Sequence, residues 1–435
     1  MCIARVPEMR RQTADGGRRT VAAAFLMLVA LAGTSAAQNR RPPCAADNAG
    51  LTLPTGFCAI IAADSLGRAR HMAVLPNGDL AVAVSGNNGG VVVLRDADGD
   101  GVMETRKKFG AKGGNGIAFY NNSLYFAYDN AVVRWRWTAG AMEPAGAPDT
   151  IVSGLAMGRQ HAAKSIAIGN DGMLYVNIGA PSNACQQQDR TAGSPGMDPC
   201  GILDTAGGIW RFSASRTGQT QANGTRFATG LRNVVALGID PQGGGVYGVS
   251  HGRDEIARYF PGHYANDTLA NAEKPAEELF RLEEGRDYGW PYCFYDPETH
   301  QKLLNPEYGG DGKTVGRCAN VQQPLLGFPA HYAPDGIAFY RGRQFPQTYR
   351  GGLFVAFHGS WNRAPMPQEG YNLVFVPMAN GRPSGNWSVF GEGFRGDRNG
   401  QAQHRPVGVA VGTDGSLYVS DDTGGRVYRI SYTGS

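Results

Sequence analysis

Basic, imidazole and amide side chains recur directly before short apolar segments of this 435-residue chain. Cations gathered around one point favour a polyanionic ligand, because arginine and lysine bind carboxylates and phosphates through charge-assisted hydrogen bonds. A neutral imidazole can accept a proton near physiological pH, so a histidine in the same position is a candidate base. The residues concerned are Arg70 with His71, Asn115, His161 with Lys164, Arg232 with Asn233, Asp335, and Arg405.

A second polar set follows the next apolar segment in several of these units. It comprises Asn183, residues 250–255, residues 358–363, and Asp421 with Asp422. A lone polar loop residue is usually only solvated, but polar residues at the same place in successive units indicate a shared site.

The apolar segments form a repeat that must position these side chains. Each unit has a small residue and an apolar trio, then a turn and an apolar strand, at hairpin spacing in five of six units. These segments of one residue plus its trio begin at His71, Gly116, Ser165, Ala236, Gly336 and Gly408, and the following strands begin at Leu80, Leu124, Leu174, Val246, Leu353 and Leu417. The fifth unit is longer because residues 340–352 are inserted.

Six such units predict an all-β fold, a six-bladed β-propeller, rather than an array of β-sandwiches. The 63 glycines and 25 prolines agree with many short strands and turns. Small residues at the start of each inner strand suit a crowded central channel. The residues before them are then expected at the channel mouth.

The N-terminus is predicted to be an export signal. Residues 1–37 combine arginines, a short apolar run and a small-residue cleavage site, and the run is too short to span a bilayer. We expect a signal peptide at 1–37, an N-terminal extension at 38–59 and a propeller catalytic domain at 60–435. The signal carries +3 of the formal charge of +4, so the mature chain has no basic footprint for nucleic acid. A periplasmic or secreted protein without a membrane span is expected.

Six cysteines remain after the signal, an even number that predicts disulfides in an oxidising compartment. Closing short loops costs the least entropy, which favours local pairing. The expected bonds are Cys44 with Cys58, Cys185 with Cys200, and Cys293 with Cys318. Their spacing indicates neither a zinc site nor covalent haem.

Five motifs in order resemble the glucose/sorbosone dehydrogenase family, particularly its sorbosone-dehydrogenase-like branch. They are GLRN from Gly230, HGRDE from His251, YGWP from Tyr288, HGSWNR from His358 and RPVG from Arg405. The resemblance implies a propeller that uses pyrroloquinoline quinone (PQQ) and calcium to oxidise a sugar or sugar aldehyde. A cytochrome or a membrane quinone would take the electrons. The three carboxylates of PQQ suit the basic residues at the channel.

The resemblance also implies roles for individual residues. His161 matches the family's base, and Arg232 with Asn233 would contact the quinone and its developing negative charge. Arg70, Arg363 and Arg405 are expected to bind the cofactor, although Val407 stands where the family has a second basic residue. The backbone carbonyls of Gly252 and Arg253 take the place of the calcium ligands, where the family has a Gly-Pro pair.

Two other functions and two further metal sites stay open. A lactonase-type hydrolase would hold a metal through Asp335, Asn115 and Asp421, although the basic ring opposes it. A propeller that only binds ligands is the second alternative. Additional calcium could bind Asp254 with Glu255, or the loop of Asp96, Asp98 and Asp100, which lacks an acid at the twelfth position.

Overall fold

The computed structural model describes residues 43–396 and 401–434. Their strands form six blades, which confirms the predicted propeller. The predicted signal peptide lies outside the described residues. In the ranges described, no helix is long and apolar enough to cross a membrane.

The first three blades follow one another along the chain, after β1 (Phe57–Ala63). Blade one contains β2 (Ala69–Val74), β3 (Leu80–Val84), β4 (Gly90–Arg95) and β5 (Thr105–Phe109). Blade two contains β6 (Ile117–Tyr120), β7 (Ser123–Ala127), β8 (Val132–Arg136) and β9 (Asp149–Ser153). Blade three contains β10 (Ile166–Ile168), β11 (Met173–Ile178), β12 (Gly208–Ser213) and β14 (Thr225–Thr229), with β13 (Gln219–Thr220) pairing on the edge of blade two.

The last three blades carry the longer connections. Blade four contains β15 (Ala236–Ile239), β16 (Val246–Ser250), β17 (Glu277–Leu282) and β21 (Leu326–Phe328), with β18 (Arg286–Asp287), β19 (Cys293–Asp296) and β20 (Gln301–Leu304) between the last two. Blade five contains β22 (Pro334–Phe339), β23 (Leu353–His358), β24 (Tyr371–Val376) and β27 (Ser388–Gly391), with a small hairpin of β25 (Met378–Ala379) and β26 (Arg382–Pro383). Blade six contains β28 (Pro406–Val411), β29 (Leu417–Asp421) and β30 (Arg426–Tyr432).

Helical segments are short and lie in connections. The α-helices in the described ranges are α1 (Ile256–Tyr259) and α2 (Ala270–Glu273). Single 3₁₀ turns occur at Asn48–Gly50, Gly201–Asp204, Gln221–Asn223, Pro306–Tyr308, Gly316–Asn320 and Gln347–Tyr349.

The small residues of the repeat allow neighbouring inner strands to touch, as expected for a crowded channel. A Cβ at Gly116 would lie 2.7 Å from the carbonyl oxygen of Lys164, and one at Gly336 only 2.1 Å from that of Val407. A Cβ at Gly408 would lie 2.6 Å from the carbonyl oxygen of Arg70. These distances are far below a normal carbon contact, so the inner strands pack backbone to backbone.

Strand β1 closes the ring between the two ends of the chain. It pairs antiparallel with β30 as the outermost strand of blade six, with Phe57 opposite Tyr432. The strand begins before residue 60, so it crosses the boundary expected between the N-terminal extension and the propeller. All three expected disulfides form, with Cα–Cα distances of 5.5, 6.2 and 5.7 Å in chain order.

Phe57 anchors the closing strand, and its removal should loosen the ring. Its buried ring packs edge-on against Phe345, Phe390 and Tyr432, with centroids 4.7 to 5.0 Å apart. Phe57→Ala should therefore lower the free energy of unfolding by about 3–5 kcal/mol in denaturant titration. Val389→Ala, at a half-exposed position of blade five, should change it by less than about 0.5 kcal/mol. Equal losses would show that Phe57 does not anchor the closure.

Candidate functional site at the channel mouth

A cavity of about 1110 Å³ opens where the inner strands begin. A pocket of this size can hold a drug-sized ligand together with a second small molecule. Its charged lining residues come from blades one, two, five and six: Arg68, Arg70, Lys112, Asp129, His358, Arg405 and Asp422. The repeat therefore brings two of the expected cations, Arg70 and Arg405, to one cavity.

Arg70 reaches the channel but is fully engaged by protein groups. Its Nη2 donates to Asp335 at 3.0 Å, its Nη1 to Asp422 at 2.7 Å, and its Nε to the Asn115 side chain at 2.7 Å. Burial opposes the charge of Arg70, but the two aspartates outweigh burial and raise its pKa. His251 and His358 contact the same aspartates, at 3.4 and 2.9 Å. Arg70 thus links three other blades, and its charge is compensated before any ligand binds.

Arg405 keeps an uncompensated charge. Its guanidinium donates to the backbone carbonyls of His358, at 2.9 Å, and Gly359. Arg68 and Lys112 also line the cavity, and none of the three cations has a carboxylate partner within 4.0 Å among the described residues. Sequence reasoning missed Arg68 and Lys112, although both lie in the segments that lead into inner strands. The free charge of the mouth therefore comes from these three cations.

His161 is held as a neutral imidazole beside this cavity. It is not a lining residue, but Ala163 of the same loop is. Its Nδ1 lies 2.5 Å from the carbonyl oxygen of Ala180, which can only accept, so Nδ1 carries the proton and Nε2 has a free lone pair. Burial lowers the pKa of His161 to about 3, and the charge of Arg232 acts in the same direction.

The backbone at Gly179 approaches His161 so closely that no side chain fits at position 179. His161 itself adopts a left-handed conformation, with φ of 53°. A Cβ at Gly179 would lie 2.6 Å from the Cβ of His161 and 2.7 Å from the Oδ1 of Asn233. The next residue, Ala180, donates its N–H to the carbonyl of Arg232 at 2.8 Å. Gly179 and Ala180 therefore bring three expected site residues together.

Arg232 is buried against Asp254. Its Nη2 donates to the Oδ2 of Asp254 at 2.7 Å, and Arg190 donates to the same oxygen at 2.7 Å. Asn362 donates to the other carboxylate oxygen at 3.0 Å. Burial alone would raise the pKa of Asp254, but Arg232 and Arg190 hold it below its usual range. The carboxylate is thus occupied by cations, which argues against the calcium site considered for Asp254 with Glu255.

Gly252 and Arg253 lie next to this pair, away from the large cavity. With Arg232 they line a separate void of about 20 Å³ under the blade-four insertion, which is the segment between β17 and β21. The carbonyl of Gly252 accepts from Nη1 of Arg232 at 2.9 Å, and its second lone pair remains for a cation. The buried side chain of Arg253 turns to Glu307 at 2.5 Å. The carbonyl of Gly252 is therefore bonded to Arg232, and neither Gly252 nor Arg253 lines the cavity that Arg405 lines.

Arg363 is not brought to the cavity. Its Nη1 donates to the carbonyls of Ala272 and Ala330, at 2.9 and 3.1 Å, and its Nη2 lies 3.3 Å from Glu369. The side chain is buried among these partners. It joins the loop after β23 to α2 and to the segment after β21, and this differs from the cofactor contact expected from the sequence.

The remaining acidic groups do not form the metal site of a lactonase. Asp335 and Asn115 are bonded by Arg70, and Asp421 accepts from Arg405 N–H at 2.8 Å and contacts His404 at 2.6 Å. In the blade-one loop, ligand atoms of Asp96, Asp98 and Glu104 lie within 4.8 Å of one another. Glu104, rather than a residue at the twelfth position, completes that acidic group.

These features define the class of protein: it is a six-bladed propeller with a positively charged cavity at one mouth of its channel. The family model described as TrAA12-like matches residues 51–433, and the chain belongs to this family. This assignment confirms the resemblance that the sequence motifs indicate.

Two curated relatives match part of the chain. A pyrroloquinoline quinone-dependent pyranose dehydrogenase from Coprinopsis cinerea is 30% identical over 233 residues, which cover 46% of this chain and 30% of the relative. An uncharacterised protein from Borreliella burgdorferi is 31% identical over 207 residues, 47% of this chain and 48% of the relative. The chain therefore spans about half the length of these relatives or less.

Solved structures share the fold at low sequence identity. The PQQ domain of the Coprinopsis cinerea pyranose dehydrogenase, in its holo form, has a TM-score of 0.70 at 22% identity and covers 88% of this chain and 97% of its own. The calcium structure of a Trichoderma reesei family AA12 enzyme has a TM-score of 0.72 at 20% identity, with coverages of 90% and 98%. These structures agree with the propeller described above.

A methyl group at position 179 should displace His161 or Asn233, because it cannot fit between them. We expect Gly179→Ala to shift the imidazole NMR resonances of His161 and to lower the melting temperature by several degrees, as roughly 1–3 kcal/mol of overpacking implies. Gly201→Ala is the matched control, since a Cβ there meets no atom within 4 Å. Unchanged His161 resonances in Gly179→Ala would contradict the close approach.

Proposed function

We propose that the protein is an exported dehydrogenase that oxidises a sugar or sugar aldehyde with PQQ and calcium and passes the electrons to an external acceptor. The observation that carries the proposal is a neutral histidine with a free Nε2, held beside Arg232 and Asn233 at the edge of a cavity with excess positive charge. The PQQ-dependent pyranose dehydrogenase named above and a PQQ-bound aldose sugar dehydrogenase from Streptomyces coelicolor, which shares the fold, support the choice of cofactor.

The cavity fits a polycarboxylate. Arg68, Lys112 and Arg405 supply three cations without carboxylate partners, whereas Asp129 is exposed and Asp422 is already paired with Arg70. Charge-assisted hydrogen bonds from such cations are the strongest that proteins make with carboxylates. Arg405 is the best placed of the expected residues to hold the cofactor, and Arg70 would orient Asp335 and Asp422 rather than bind it through a free donor.

Calcium is proposed with the carbonyls of Gly252 and Arg253 as ligands. The calcium structure of the Trichoderma reesei relative supports this ion. The carbonyl of Gly252 retains one lone pair, although the Arg232 guanidinium 2.9 Å away opposes a second positive charge there. Arg232 must share this oxygen if the ion binds as proposed.

His161 is the proposed base. Nε2 would take the proton from the substrate O–H as the C–H hydrogen leaves as hydride, for which PQQ, when bound, would supply the acceptor. The carbonyl of Ala180 fixes the tautomer, and burial with the Arg232 charge lowers the pKa of His161, so the imidazole is neutral at neutral pH. Arg232, held by Asn183, Gly252 and Asp254, is preorganised to stabilise negative charge that develops nearby.

Removing the base should abolish turnover without removing the cofactor. In protein reconstituted with PQQ and Ca²⁺, His161→Ala should reduce sugar-dependent dye reduction by about a hundredfold or more, because positioned base catalysis contributes that much. PQQ binding, followed by quinone absorbance, should stay nearly unchanged. His263→Ala, at an exposed position between β16 and β17, is the matched control and should retain full activity.

Three outcomes would overturn this proposal. The base lies elsewhere if His161→Ala keeps more than about a third of wild-type turnover. Lactone hydrolysis without added quinone would indicate a hydrolase. Sugar binding with no turnover after reconstitution, over a panel of aldoses and sugar aldehydes, would indicate a binding protein.

Arg405 should contribute to cofactor affinity because its charge is uncompensated. Arg405→Ala should weaken PQQ binding by about 1.5–3 kcal/mol, the range for a hydrogen bond to a charged group. Titration of quinone absorbance measures this without turnover. Arg211→Ala, which removes the same charge from the outer part of blade three, should leave affinity unchanged. Equal affinity in Arg405→Ala and wild type would place the cofactor elsewhere.

A further inference from the structure

Four blades carry the same tyrosine–arginine pair in register. A tyrosine on the second strand lies opposite an arginine on the third strand in blades two, three, four and six. The pairs are Tyr125 with Arg134, Tyr175 with Arg211, Tyr247 with Arg281, and Tyr418 with Arg429. Equivalent positions in a repeat fold meet similar surroundings, so each blade serves as a reference for the others.

Three of these arginines bind a carboxylate and the fourth does not. Arg134 lies 2.6 Å from Asp149, Arg211 lies 2.7 Å from Glu284, and Arg429 lies 2.7 Å from Asp414. The side chain of Arg281 in blade four has neither a carboxylate nor a hydrogen-bond partner in the described part of the chain, although its backbone carbonyl accepts from Tyr288. Blade four therefore departs from the pattern of its neighbours.

In blade four, the turn carboxylate equivalent to the one that Arg429 binds in blade six has a different partner. Asp240 lies in the turn between β15 and β16, as Asp414 lies in the turn between β28 and β29. Asp240 is bound at 2.5 Å by Arg341, which belongs to the inserted residues 340–352. Arg341 also donates to Gln242 at 2.8 Å. The insertion thus takes the hairpin carboxylate and leaves Arg281 without it.

A groove of about 510 Å³ lies at this place, between blades four and five. Arg281, Arg341 and Arg350 line it, and Asp240 is its one acidic lining residue among those described. Arg350 donates only to the backbone carbonyls of Phe345, at 3.3 Å, and Arg343, at 2.9 Å. The groove therefore holds two guanidinium charges, those of Arg281 and Arg350, that no carboxylate of the described residues compensates.

We propose that this groove binds the carboxylate or phosphate groups of a small anionic molecule, with Arg281 and Arg350 as donors. The planar guanidinium fork matches both kinds of oxyanion, and bringing like charges together is unfavourable unless an anion lies between them. The groove lies at the end of the inner strands opposite the channel mouth, because it borders the turn that follows β15. The proposal is independent of the reaction proposed above.

Calorimetric titration with citrate and with pyrophosphate tests the site against a potassium chloride control of equal ionic strength. At least one of the two anions should bind the wild-type protein. Arg281→Gln and Arg350→Gln should each raise its Kd by about tenfold or more, as loss of one charge-assisted hydrogen bond implies. The anion that binds more tightly identifies the ligand as a carboxylate or a phosphate.

Arg211→Gln is the matched control, because it removes the same charge at the register-equivalent position of blade three. It should change the Kd by less than about twofold. Arg341→Gln should also weaken binding, since it frees Asp240 to pair with Arg281 while leaving both donors in place. The site is overturned if neither anion binds above the salt control, or if Arg281→Gln and Arg211→Gln have equal effects. Both of these tests remain valid if Arg341→Gln fails to fold, because neither of them uses that variant.

Discussion

The close approach of the inner strands is the constraint on which the rest of the molecule depends. Backbone carbonyls occupy the space that a Cβ would need at Gly116, Gly336 and Gly408. This contact places the starts of β2, β22 and β28 within side-chain reach of one another. Arg70 can then bind Asp335 and Asp422 although they are 265 and 352 residues away in sequence. A wider ring would leave these buried charges unpaired, which is costly.

The channel is less positive than its sequence indicates, and this difference governs its chemistry. Two of the expected cations, Arg70 and Arg232, are compensated by Asp335, Asp422 and Asp254. The uncompensated positive charge lies at the cavity, on Arg68, Lys112 and Arg405, whereas His161 beside the cavity is neutral. Such a division suits a site that must attract an anion without protonating its own base, because a protonated imidazole could not accept a proton.

Local features were predictable from the sequence, and side-chain partners across blades were not. Hairpin turns, small residues before apolar trios and short cysteine loops depend on neighbouring residues, so the six blades and three disulfides agree with expectation. Arg363 could not be placed in the same way. Its partners are backbone carbonyls of Ala272 and Ala330, which carry no side-chain signal in the sequence. The first residues of the closing strand, 57–59, fell outside the expected propeller, because its pairing with β30 joins segments far apart in sequence.

The insertion in blade four has a role that its irregular sequence does not reveal. It supplies Glu307 to the buried Arg253, and Lys302 within it pairs with Glu278 of β17. A buried ion pair contributes little net stability. Because separating its two charges costs several kcal/mol, the pair fixes the relative position of the segments that carry them. The Arg253 pair holds the segment that follows β16, and that segment carries the carbonyl of Gly252 and the carboxylate of Asp254. Since both groups bind Arg232, the insertion determines where the Arg232 charge lies relative to His161.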